Sequence, residues 1–366
     1  MLIPPAGVAL PVVKTATDCA EFGRTVSPYL PQLLSLPQQV FQHISSFEEL
    51  KTLYVSTNPL ITALAIALAL VPIFLVASEI NKNYSQVDRF WSILPTVYNA
   101  HYCLWAHMNG LPTIRLDNII AFSCVWSLRL TYNYWRKGGY SIGSEDYRWE
   151  VLRSKISPRL FFVFNVLFIS FAQSILLWAI TTPTYVLLLT SRLSGPEATT
   201  SDIVFSRALM LLVLATFFAD QQQWNFHQAK KQYQATAKVP LGWDRAELDR
   251  GFCTSGMFSY SRHPNFAAEQ AIWVVLYQWG CFETFGYYNW TFCGALAYLF
   301  LFQASTWFTE LITAEKYPEY KIYQRLVPKF LPNLAGPIDM PVVKEEGGVR
   351  EVKPKEAAAA VGKKKR

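Results

Sequence analysis

The sequence predicts an all-α, polytopic integral membrane protein: a helical bundle of about seven transmembrane helices. Three observations carry that expectation, namely scarce charge, long uncharged apolar runs and a regular alternation of basic loops. Of the 366 residues, 52% are hydrophobic and only 16% are charged, against about 25% charged in an average soluble domain. The aromatic share of 15%, with 12 Trp and 19 Tyr, suits helix ends lying in two headgroup layers, where amphipathic rings are favoured.

The apolar runs follow one another along the chain. Residues 58 to 78, "NPLITALAIALALVPIFLVAS", contain no ionisable group; at about 1.5 Å per residue they cross a hydrocarbon core of about 30 Å. Residues 160 to 190 are also uncharged and exceed the length of one crossing, with Pro183 marking where the helix kinks or ends. Residues 203 to 218 carry one Arg near their start and continue into the polar "DQQQWNFHQAKK". Weaker runs at 90 to 109, 114 to 135, 266 to 282 and 290 to 308 bring the count to seven.

Loop charge orients the bundle. The loops at 80 to 90, 136 to 158 and 227 to 264 fall on one side and hold 2, 5 and 6 basic residues, and 12 more follow Leu311. The loops at 110 to 113, 191 to 202 and 284 to 289 hold only Arg192. By the positive-inside rule the basic loops and the C-terminus are cytoplasmic. The net charge of +7 thus reflects topology, and no basic soluble face for nucleic acid is expected.

Three segments follow: residues 1–57 as an N-terminal non-core segment with an amphipathic stretch near 33 to 53, residues 58–336 as the transmembrane domain, and residues 337–366 as a charged, disordered cytoplasmic tail. The N-terminal segment has no basic region followed by a cleavable apolar one, so targeting falls to the first span. The last four residues, "KKKR", resemble the dilysine retrieval signal of endoplasmic-reticulum membrane proteins; a generic lipid-attracting basic end is the other reading. The six cysteines lack C-x-x-C spacing and the five histidines lack H-E-x-x-H. His101 and His107 are six apart, on different helix faces, so no metal is expected. No G-x-S-x-G elbow, Walker loop or G-x-G-x-x-G fingerprint occurs, which removes the common soluble-enzyme folds.

Polar chemistry gathers instead at the cytoplasmic helix ends, where ionisable groups beside hydrocarbon are functional candidates. In residues 251 to 277, Arg262, His263, Asn265 and Glu269 precede and enter an apolar run. Asn265 and Glu269 share one face near a helix start, where free N–H groups and the dipole favour anions. An Arg, a His and a helix start suit phosphate; ordinary interfacial polarity is the alternative. Arg129, with Asn133 and Arg136 on roughly the same face, either contacts phosphate or snorkels.

The segment "SRHPNF" followed by Glu269 resembles the signature of the steroid 5α-reductase C-terminal superfamily, specifically its DUF1295 branch. Four further blocks agree in order: "VDRFWSILPTVY" from Val87, "VWSLRLTYNYWRKGGYSIGSEDYRWEVLR" from Val125, "FFADQQQWNF" from Phe217 and "EKYPEYKIYQRLVPKFLPN" from Glu315. The similarity spans residues 86 to 333. The family pattern has Gly before the acidic residue and Tyr after the Asn; this chain has Ala268 and Phe266, a methyl where backbone or cofactor approaches closely and one phenol fewer.

The resemblance implies a membrane-embedded reductase that holds NADPH on its cytosolic side and reduces the C=C bond of a lipid, sterol-like or enone substrate. It assigns Asn265 and Glu269 to the nicotinamide end, Arg262 and His263 to pyrophosphate or ribose, and Asp220 and Gln222 to the same cofactor. Asp146 and Arg148 fall to ribose or the 2′-phosphate, a loop ion pair being the alternative. Tyr98 is the acid that polarises the substrate carbonyl, with Glu269 as the alternative; interfacial packing is the other reading of Tyr98. Two other classes stand beside this one: an S-adenosylmethionine-dependent lipid or isoprenylcysteine-type methyltransferase of related fold, and a non-enzymatic lipid-binding or scaffold protein.

The loop charges generate a direct test. A glycosylation acceptor placed near residue 195 is expected to be modified in the lumen, and one near residue 240 to remain unmodified; the reverse pattern overturns the orientation.

Overall fold

The computed structural model describes residues 9–341, and within them every regular element is helical. The chain divides into two compact units, Met1–Val213 with Gln270–Phe302, and Leu214–Glu269 with Gln303–Arg366. Four stretches are long and apolar enough to cross a membrane: Pro59–Asn81, Pro158–Ser194, Thr200–Thr236 and Phe292–Lys316. Residues 342 to 366, including the terminal "KKKR" read as a retrieval signal or a generic basic end, lie outside the described residues.

The first unit opens with short turns and two helices, α1 (Leu30–His43) and α2 (Phe47–Ser56). Ala9, Leu10, Cys19 and Val26 lie in the unit's main hydrophobic cluster, so the N-terminal segment joins the core that the sequence reading begins at residue 58. A long-range tie helps to hold it there: the Asn58 amide donates to the Ala9 carbonyl and to Tyr185 Oη at 3.0 and 2.9 Å. The same Asn58 caps α3 (Pro59–Asn81) by accepting from Leu60 N, with Pro59 in the first turn. Ile66, Ile73, Val76 and Ile80 of α3 are exposed, an apolar face that lipid covers in a membrane protein.

Helices α4 (Leu94–Met108) and α5 (Ile114–Arg136) form a hairpin, and α6 (Tyr147–Lys155) follows. The next helix, α7, runs Pro158–Phe164, widens into a π-helical stretch Asn165–Ala172 and returns to α geometry at Gln173–Ala179. Asn165, at the start of the widened turn, donates to Ser78 Oγ and Glu79 Oε1 at 3.0 and 2.9 Å, tying α7 to α3. Pro183 then falls in the first turn of a new helix, α8 (Thr182–Ser194), as expected of a proline closing an overlong run. Helix α8 is buried from Thr182 to Ser191, which explains its apolar character on all sides. Its few polar groups are matched: Thr184 Oγ1 donates to Asn99 Oδ1 at 2.8 Å, and Asn99 donates to Ser123 Oγ at 3.1 Å, linking α8 to α4 and α5.

Three long helices and a short one follow among the described residues: α9 (Thr200–Thr236), α10 (Pro264–Glu283), α11 (Phe292–Lys316) and α12 (Tyr320–Leu326). A Cβ on Gly294 would lie 2.3 Å from the Ala179 carbonyl oxygen, so only glycine lets the start of α11 approach the end of α7 so closely.

Arg115, 1% exposed, holds the helix ends of the first unit together. Its Nε donates to Asp202 Oδ1 at 2.6 Å, Nη1 to Thr190 Oγ1 at 2.6 Å and Nη2 to Glu283 Oε2 at 2.7 Å. Ser201 Oγ donates to the other Glu283 oxygen at 2.5 Å. One guanidinium therefore joins α5, α8, α9 and the end of α10. Removing one partner of such a buried pair costs about 3–5 kcal/mol, whereas apolar replacement of all members is often close to neutral. Arg115→Met is thus expected to lower the midpoint of SDS- or heat-induced unfolding sharply, and Arg115→Met with Asp202→Leu and Glu283→Met to regain most of it. A single variant as stable as the parent removes the clamp from this account.

Candidate functional site

The second unit gathers the "SRHPNF" segment against the chain that follows α12. Arg262 N donates to the Pro328 carbonyl at 2.9 Å and His263 N to that of Lys329 at 3.1 Å. Asn333 N and Ile338 N bond back to the carbonyls of Tyr260 and Ser259 at 2.8 and 3.0 Å. Two blocks separated by some 60 residues of sequence are thereby fixed as one surface leading into α10.

Glu310, on α11, sits beneath that surface and accepts from five donors. Arg262 reaches it through Nε at 2.7 Å and Nη2 at 3.2 Å, and His263 Nε2 lies 2.8 Å away. Tyr320 Oη and Gln324 Nε2 add contacts at 3.2 and 3.0 Å. Arg262 Nη1 donates to the carbonyls of Gln324 and Val327 at 2.9 and 2.5 Å. The guanidinium is 9% exposed and Glu310 8%, so the pair is buried and its fork is engaged by protein. Glu310 escapes a motif search, yet a signal exists: it is an acidic residue at the edge of an apolar run, where a lone charge needs a partner.

The remaining sites of the second unit lie around the start of α10. Asn265 Nδ2 donates to Asp220 Oδ1 at 3.0 Å across 45 residues of sequence. Glu269, one turn further along α10, is buried, as is Ala268 beside it. Gln222 Oε1 accepts from Met257 N at 2.9 Å and packs where Gly256, at φ +59°, has no Cβ; it fixes the turn before "SRHPNF". The Phe266 ring stacks on His263 with centroids 5.6 Å apart.

The first unit holds the other three candidates. Tyr98, on α4, is fully buried, and its hydroxyl has no hydrogen-bond partner among the described residues. Asp146 caps α6 by accepting from Arg148 N at 2.9 Å, and the Arg148 guanidinium grips both of its oxygens at 2.8 Å. Burial pulls the Asp146 carboxyl upward, and the bonds and charge of Arg148 outweigh it, leaving its pKa below the usual carboxylate range. The same loop meets the block that begins at Val87: Asp146 N donates to Ser85 Oγ at 2.9 Å, Trp149 Nε1 to Asp88 Oδ2 at 2.8 Å and Arg89 Nη2 to the Ser144 carbonyl at 2.8 Å.

The Arg262, His263 and Glu310 group makes a stability statement. Arg262→Ala leaves Glu310 short of its strongest partner, so a loss of about 3–5 kcal/mol is expected, visible as a fall in melting temperature; Arg262→Lys is expected to recover part of it. Burial lowers the His263 pKa below 6.5, outweighing the opposing pull of Glu310. The unfolded imidazole takes up its proton at about pH 6.5 and the folded one only at lower pH. Its contribution is therefore full above about pH 6.5 and lost as pH falls through the folded value. Melting temperatures measured from pH 7.5 to 5 are expected to fall less in His263→Gln than in the parent, and equal slopes remove this histidine from the acid response.

Comparisons with known proteins give the family of the chain and no chemistry. Residues 73–327 match the family described as "Protein of unknown function (DUF1295)". The chain is 36% identical over 331 residues to "Uncharacterized protein C594.04c" of Schizosaccharomyces pombe, covering 89% of this chain and 94% of that one. No solved structure matches. By the extent of both matches, with the ordered blocks that begin at Val87 inside the matched region up to the last, which starts at Glu315 and runs past its end to Asn333, this chain belongs to the DUF1295 family.

Proposed function

We propose that the chain is a membrane-embedded, NADPH-dependent reductase acting on the C=C bond of a lipid, sterol-like or enone substrate. The observation that carries the reading is the meeting of Asp220 with Asn265 at 3.0 Å at the start of α10, one helical turn before the buried Glu269. A carboxamide and two carboxylates at a helix start offer both donors and acceptors, which suits an amide and ribose hydroxyls. That chemistry fits the nicotinamide end of the cofactor.

Arg262 and His263 enter the reading as positioning residues. Their side chains are engaged by Glu310 and by backbone carbonyls, so they hold the peptide from which Asn265 and Glu269 project. Gln222 does the same for the preceding turn. Asp146 and Arg148 are proposed for ribose or 2′-phosphate; Arg148 would have to open its bidentate pair to receive a phosphate.

NADPH, when bound, supplies the hydride for the β-carbon of a conjugated C=C bond. Tyr98 is proposed to donate a hydrogen bond to the conjugated carbonyl, with Glu269 as the alternative acid. A buried hydroxyl without a partner costs about 1–3 kcal/mol, and a substrate oxygen would recover that cost. The membrane reading completes the proposal: α4, α5 and α10 join the four apolar stretches as crossings, giving seven. The C-terminus lies in the cytoplasm and the protein in the endoplasmic reticulum. Ala268 in place of the family's glycine is the feature that favours a non-enzymatic, lipid-binding role instead.

Binding separates the readings. Purified protein is expected to bind NADPH, and Asn265→Ala to weaken that binding while leaving the melting temperature close to the parent's. S-adenosylmethionine binding alone favours the methyltransferase, and binding of neither favours the non-enzymatic role. On a substrate found in a panel of enone sterols and unsaturated lipids, Tyr98→Phe is expected to slow turnover by about 10²–10³, the loss typical of one oxyanion donor, with NADPH affinity unchanged. Turnover equal to the parent's moves the acid to Glu269.

A further inference from the structure

The hairpin of α4 and α5 carries a donor set that the reductase reading leaves unused. Cys103 and His107 are four residues apart in the last turns of α4 and share one face. Asp117 stands in the first turn of α5. The short connection between the helices brings these together: Asp117 Oδ1 lies 2.9 Å from His107 Nε2 and 3.2 Å from Cys103 Sγ. All three donor atoms lie within 4.8 Å of one another. The second carboxylate oxygen accepts from Thr113 Oγ1 at 2.9 Å, which orients the carboxylate. The sulfur side is buried, whereas the His107 and Asp117 side chains are 54% and 41% exposed, so the group has an inner wall and an open face.

We propose that Cys103, His107 and Asp117 bind a zinc-class divalent cation, with water completing the coordination on the exposed face. Sulfur, imidazole nitrogen and carboxylate oxygen are each zinc ligands at about 2.0–2.3 Å. Around a tetrahedral centre, ligands at those lengths stand about 3.3–3.7 Å apart. The distances of 2.9 and 3.2 Å thus need only a small outward adjustment of two side chains that solvent leaves free to move. A thiolate in the set selects zinc-like over magnesium- or calcium-like ions.

Charge favours the assignment as well. On binding, the Cys103 thiol releases its proton to solvent, and thiolate plus carboxylate offset the two positive charges, leaving a neutral centre at the end of an apolar hairpin. The Thr113 hydroxyl is the outer hydrogen bond that holds a ligating carboxylate in place. Spacing rules overlook the site because its third ligand comes from the next helix: His101 and His107 are the wrong pair. Helix α4 also carries Tyr98, so the bound ion clips the helix on which that phenol sits to its neighbour α5.

The test uses the full, tag-free chain in detergent, stripped with chelator and dialysed against Zn²⁺ or Co²⁺. The expected result is about one zinc retained per chain, a thiolate-to-cobalt absorption band with Co²⁺, and a melting temperature that rises with zinc. His107→Ala, at an exposed position, and Cys103→Ser are each expected to weaken zinc binding at least tenfold and to abolish the zinc-dependent stabilisation. Cys124→Ser, on the exposed face of α5, is expected to change neither. If Cys103→Ser fails to fold, His107→Ala decides, with its zinc-free melting temperature as the folding control. Failure of the parent to retain zinc, absence of the cobalt–thiolate band, or unchanged affinity in His107→Ala overturns the site.

Discussion

An ionised group beside hydrocarbon needs a partner, and in each unit of this protein one buried arginine meets that need where several segments converge. In the first unit Arg115 draws Thr190, Asp202 and Glu283 onto a single guanidinium, and the ends of α5, α8, α9 and α10 follow from that requirement. Four helices cannot shift or rotate there without stranding a charge. In the second unit Arg262 and Glu310 meet the same condition, and the backbone bonds that join residues 259–263 to residues 328–338 are made beside them. Apolar packing supplies bulk stabilisation but is tolerant of small slides between helices; a bidentate ion pair is not. The buried pairs therefore specify register where lipid-facing leucines and phenylalanines cannot.

The segment "SRHPNF" is built around the same requirement. Its most basic residue is used inward, on Glu310 and on carbonyls, and its proline starts α10 at the first turn, where a missing N–H carries no penalty. The result is a rigid helix start whose Asn265 is already bonded to Asp220. In the proposed reductase such a fixed helix start would favour binding, since groups held before a ligand arrives lose little entropy on binding. Arg262 holds that frame through Glu310 and the carbonyls of Gln324 and Val327, and its loss would be seen first in stability.

The first unit shows the complementary design. Most of its buried polar groups are satisfied, as in the Thr184, Asn99 and Ser123 chain or the loop pairing of Ser85 with Asp146. The hydroxyls of Tyr98 and Tyr102, both on α4, are among the exceptions, and buried polar atoms without partners call for an explanation. A ligand oxygen is one. The widened turn at Asn165–Ala172 is a second departure from regular geometry, accounted for by the bonds of Asn165 to Ser78 and Glu79.

What the sequence determined by itself was what rests on short-range composition and order. The uncharged run at 58 to 78 made α3, Pro183 ended one helix and began the next, and the ordered blocks from Val87 onward identified the family. Asn265 and Glu269 on one face of a helix start were also legible, because helical periodicity carries that information, whereas Asp220 was related to them only through the family resemblance. Only the tertiary structure decided where the charges went. Nothing in the sequence near Arg115 names Asp202 and Glu283, 87 and 168 positions away, and nothing near Arg262 names Glu310. Cys103, His107 and Asp117 looked unrelated for the same reason. An ion pair or a ligand set is fixed by which helix ends meet in space, and that depends on the packing of the whole bundle rather than on any local pattern.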